Sequence, residues 1–65
     1  MSMQTATITV ISINKTKAAI TRAIDEKLAY LESQGFDIVK HTIVRMIEGL
    51  GTRWNVKVQI YYVKP

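Results

Sequence analysis

Residues 5–13, Thr-Ala-Thr-Ile-Thr-Val-Ile-Ser-Ile, are mostly β-branched. Two heavy atoms on Cβ suit a pleated strand and penalise a helix, so a strand is predicted over about 5–13. Alternation puts Ala6, Ile8 and Val10 on one face and Thr5, Thr7 and Thr9 on the other, with Ile11 and Ile13 on the threonine face. The period then changes. Ile20, Ile24, Leu28 and Leu31 fall on one helical stripe flanked by Ala19 and Ala23, while Lys17, Thr21, Arg22, Asp25, Glu26 and Glu32 lie mostly off it. This predicts a helix over about 16–34. Asn14 or Thr16 can cap its start, and Gly35 is placed to end it with a positive φ. A second β-rich run covers 36–48, two glycines within Gly49-Leu50-Gly51 mark a turn, and a third run covers 52–63. In that last run Trp54, Val56, Val58, Ile60 and Tyr62 share one face; Arg53, Asn55, Lys57, Gln59 and Tyr61 share the other.

The order β-α-β-β predicts one α+β domain over 1–65: a three-stranded sheet with one helix packed on one face. The first connection allows a parallel pairing with a right-handed crossover, and the last two strands form an antiparallel hairpin. The core centre is expected at Ile8, Val10, Ile20, Ile24, Leu28, Leu31, Val56, Val58 and Ile60. Register decides what the second strand adds. A three-residue turn at Gly49-Leu50-Gly51 sets Met46 against Trp54, Val44 against Val56, Thr42 against Val58 and Ile38 against Tyr62. A two-residue turn exchanges the faces of that strand. The three-residue turn gathers like with like, and its open face holds His41, Arg45, Arg53, Asn55, Lys57, Gln59 and Tyr61. Val39, Ile43 and Ile47, with Ile11 and Ile13, then lie opposite the core, where one helix cannot cover them. Their exposure, and strands longer than the usual five or six residues, predict a homo-oligomer.

Size points the same way. A chain of 65 residues without cysteine has neither disulfides nor thiolate metal ligands to reinforce a small core. Nine Lys and Arg against five Asp and Glu give a net charge of +4 and a pI near 9.7. That balance favours anionic partners. No apolar stretch approaches a membrane span, and no basic segment followed by an apolar block opens the chain, so a cytoplasmic protein without membrane contact is expected.

Catalytic chemistry finds little support. No Ser/His/Asp set, paired carboxylates or metal-ligand spacing stands out, and Gly49-Leu50-Gly51 lacks the Lys-Ser/Thr of a phosphate loop. A non-enzyme without cofactor or metal is expected. The candidate ligand-binding residues are Arg45, Arg53 and Lys57 for an anion, with Tyr61 and His41 as stacking or hydrogen-bonding partners.

The layout resembles two groups. Dodecin-like proteins share this length and β-α-β-β order, which implies strands wrapping a helix in a hollow oligomer. Dodecins carry a flavin-stacking Trp in the second strand, whereas Trp54 stands in the third. Short sporulation-associated or phage-encoded proteins of bacilli are similar in Phe36-Asp37-Ile38-Val39-Lys40 and Val58-Gln59-Ile60-Tyr61-Tyr62. Some small phage proteins sequester cyclic nucleotide immune signals, and a compact, basic, non-enzymatic oligomer resembles that profile. The expected function is a small homo-oligomeric binding protein for a small anionic, nucleotide-like ligand. A nucleic-acid-binding module and a structural or partner-binding protein without ligand are the alternatives. A charge of only +4 makes a thin stripe for polymeric nucleic acid.

Overall fold

The computed structural model describes residues 2–64. The elements are β1 (Gln4–Ser12), α1 (Lys17–Ser33), β2 (Asp37–Glu48) and β3 (Trp54–Val63). Thr16 caps α1: its backbone is extended, and its hydroxyl accepts from the Ala19 N–H at 3.3 Å. Asn14 supports the cap rather than supplying it, accepting from the Thr16 N–H at 2.9 Å. At the other end Gly35 takes φ +97°. Its N–H donates to the Glu32 carbonyl, and the Phe36 N–H reaches back to that of Leu31 at 3.2 Å. These paired bonds satisfy two carbonyls that the helix end would leave free. A side chain at that φ is strained, so Gly35→Ala should cost about 1 kcal/mol and lower the thermal midpoint measured by circular dichroism.

The sheet order is β1-β3-β2, and both pairings are antiparallel. The parallel contact allowed between the first and second strands is therefore not formed. The tight hairpin sets β3 beside β2, and β1 takes the other edge of β3 antiparallel, slightly the more stable pairing per residue. No residue of β3 is fully exposed. Its helix-facing Val56, Val58 and Ile60 meet Val10 of β1 and Ile20, Ile24 and Leu28 of α1 in the buried core. Ala6, Ile8, Ala23, Leu31, Ile38, Met46 and Tyr62 pack around that centre. Ser12 is the buried polar residue, and its hydroxyl donates to the Asn14 carbonyl.

The hairpin loop has three residues but lies one position later than expected. The Gly49 N–H donates to the Arg53 carbonyl at 2.9 Å, leaving Leu50, Gly51 and Thr52 as the loop. Gly51 has φ +63° at the first central position of the Leu50–Arg53 turn, which suits the twist of a hairpin. Glu48 therefore faces Trp54, and Met46 faces Val56. Two irregularities follow. Val44 and then Val39 are extra residues, so Ile43 faces Val58, His41 faces Ile60 and Ile38 faces Tyr62. Of the four cross-strand pairs expected from the sequence, Ile38 with Tyr62 forms and the other three do not. Each bulge reverses the parity of the strand, and this moves Thr42 to the open face and Ile43 to the helix side.

The molecule is long, 41 × 19 × 16 Å, with a radius of gyration of 12.3 Å. A compact chain of this length has a radius near 10.7 Å. The long axis follows from strand length, since the twelve residues of β2 span about 40 Å. Along β2 only Ile38 and Met46 are even partly buried. Val39, Ile43, Val44 and Ile47 all stand exposed.

Candidate anion-binding face

The face of the sheet opposite α1 is a grid of cross-strand rows. From one end they read Thr5–Tyr61–Lys40, Thr7–Gln59–Thr42, Thr9–Lys57–Arg45 and Ile11–Asn55–Ile47. Strict alternation of β1 and β3 brings the threonines and the polar residues of β3 to this side. The bulges of β2 bring Lys40 and Arg45 to it.

Arg45 and Lys57 stand directly opposite one another. Like charges so placed destabilise a sheet by roughly 0.2–1 kcal/mol. Lys57 Nζ turns toward β1 and donates to Thr9 Oγ1 at 2.7 Å. Lys40 Nζ lies 4.6 Å from the centre of the Tyr61 ring, and the Tyr61 hydroxyl donates to Gln59 Oε1 at 3.3 Å. Among the described residues the ion pair is Arg22 with Glu26, on the exposed surface of α1. Lys40, Arg45 and Lys57 thus share one face without a carboxylate partner. The acidic side chains lie on the helix or at the ends of β2.

Of the five residues expected from the sequence, Arg45 and Lys57 stand directly opposite one another on this face. Tyr61 and Arg53 lie four residues, about 13 Å, to either side of Lys57 along β3. Arg53 stands at the hairpin end, where it borders a shallow depression with Ile11, Leu50 and Asn55. His41 does not share this face: the bulge at Val44 sets it opposite Ile60, on the helix side. Lys40 takes its place. The missed signal is a repeat, Ile38-Val39-Lys40 and Ile43-Val44-Arg45. In each triplet the isoleucine faces the helix side, the valine is the extra residue and the cation emerges on the open face.

No known protein family, curated protein or solved structure matches the chain.

Among the described residues no helix is long and apolar enough to cross a membrane. No three His, Asp or Glu side chains among them converge to hold a metal ion. The face offers three cations, hydroxyls, carboxamides and one aromatic ring. Ammonium and guanidinium suit phosphate oxygens, and amides and hydroxyls suit the polar edges of a base.

Proposed function

We propose that the protein is a small, non-enzymatic, homo-oligomeric binding protein for a small anionic, nucleotide-like ligand, held on the open face of the sheet. The observation that carries this reading is the cross-strand Arg45–Lys57 pair, with Lys40 two rows away on the same face and no ion pair to any of the three among the described residues. Lys57 relieves the pair in part by turning to Thr9, and a phosphate accepting from both groups would neutralise the charge that remains. Gln59 occupies the next row and Tyr61 the one beyond, and they suit the base or sugar of the same ligand. The acidic groups at both ends of β2 leave no long basic stripe, which favours a small ligand over a polymer.

The test is a thermal-shift panel of phosphate, pyrophosphate, nucleoside mono- and diphosphates and cyclic dinucleotides, with a single-stranded oligonucleotide alongside. A saturable rise in melting temperature with at least one nucleotide is expected. No shift with any small anion would overturn the reading. Tight oligonucleotide binding with a steep loss in salt would replace it with the nucleic-acid reading.

A further inference from the structure

The two edges of the sheet differ sharply. β2 carries Asp37, Lys40, His41, Arg45 and Glu48 and is broken by two bulges. Charges and bulges are how sheets guard an edge against pairing. β1 has none of these protections. Its sequence Gln-Thr-Ala-Thr-Ile-Thr-Val-Ile-Ser contains no charge and no proline, and its nine residues pair with β3 without a register shift. Alternate residues of such a strand direct both N–H and C=O outward, about four residues in nine. The free edge is thus straight, β-branched and uncharged over about 30 Å.

We infer that the β1 edge pairs with the β1 edge of a second copy, antiparallel across a two-fold axis, making one continuous six-stranded sheet. This deepens the homo-oligomer of the proposed function by naming its interface. Two observations support a copy of the same chain as the occupant. First, an uncharged strand can oppose itself without like-charge repulsion, and Thr7 of one copy can pair with Thr9 of the other. Second, the flank of α1 above this edge presents Ala19 and Ala23, which border grooves shared with Ile11 of β1. Small side chains there let a second helix lie alongside at the usual 8–10 Å. That flank also carries Arg22, Glu26 and Lys27, charges of both signs that a copy running the other way can match.

The open face argues against one register and is compatible with another. Each Lys57 ammonium sits on its own Thr9. Setting Thr9 against Thr9 of the copy would bring two ammoniums together. Setting Ile8 against Ile8 keeps them about two residues apart along the strand, near 7 Å. It places Thr7 of one chain against Thr9 of the other. The second copy thereby contributes its own Lys57 to the basic face, and the binding surface is complete only in the pair.

The test reads association rather than ligand binding, so it fails separately from the nucleotide reading. In sedimentation equilibrium at micromolar concentration the parent should contain an even number of chains. Thr7→Lys adds a charge to this edge and should halve that number, whereas Val39→Lys on the β2 edge should leave it unchanged. A monomeric parent, or a Thr7→Lys protein with the parent's subunit count, would overturn the inference. If Thr7→Lys does not fold, the double variant Thr7→Cys/Thr9→Cys decides the matter, because the chain has no other cysteine. Mild oxidation should convert it to a disulfide-linked dimer, and its remaining a single chain would overturn the inference.

Discussion

Leu28→Ala should unfold most of the stability of this domain. Leu28 is one of three buried residues on α1, with Ile20 and Ile24, and only 9% of its surface reaches solvent. It packs into the cluster formed by Val10, Val56, Val58 and Ile60. Truncation removes the transfer free energy of the lost carbons and leaves a cavity, together about 2–5 kcal/mol. A domain of this length has a total stability of only about 3–10 kcal/mol. Each kcal/mol moves the midpoint of so small a domain by roughly 4–8 °C. The melting temperature should therefore fall by tens of degrees, or folding should be lost at 37 °C altogether. A melt within a few degrees of the parent would mean that α1 does not cover the sheet through this stripe.

The second large effect is on binding. The double variant Arg45→Gln/Lys57→Met should lose affinity for the nucleotide that shifts the parent by a hundredfold or more. Hydrogen bonds to charged groups contribute about 1.5–3 kcal/mol each, and two are removed. The fold should survive. Arg45 is exposed and Lys57 only partly covered, and neither enters the core. Relief of the cross-strand repulsion should leave the unliganded protein as stable as the parent or more stable by up to about 1 kcal/mol. Isothermal titration calorimetry of both proteins checks the first half, and a thermal melt without ligand checks the second. Unchanged affinity in the double variant would move the site off this face. The corresponding His41→Ala change should leave affinity unaltered, since His41 lies across from Ile60 on the other side of the sheet.

The helix and the last strand were readable from the chain because each obeys one period throughout. The stripe Ile20, Ile24, Leu28 is buried as its spacing requires, and Gly35 takes the positive φ that ends the helix. Trp54 to Tyr62 alternates without a break, so its two faces followed directly. Strand order was not readable: the handedness rule applies only to parallel neighbours, and nothing local to β1 says that β3 rather than β2 will lie beside it.

The face of β2 was misread for a specific reason. Its apolar residues come as doublets, Ile38-Val39, Ile43-Val44 and Met46-Ile47, which fit either parity equally well. A single register carried through the whole strand must then misplace some of them. Two bulges resolve the conflict by absorbing Val39 and Val44. A single register therefore places His41 on the open face and Lys40 on the helix side, the reverse of what the bulges produce.

The measurement that tests the account most directly is native mass spectrometry of the freshly expressed protein, before and after addition of the nucleotides used in the thermal panel. It reports subunit count and bound ligand together. The account predicts an assembly with an even number of 7.4 kDa chains that carries a small anionic adduct, present on isolation or gained on addition and released on collisional activation. A bare monomer of 7.4 kDa, unchanged by every nucleotide, would contradict it.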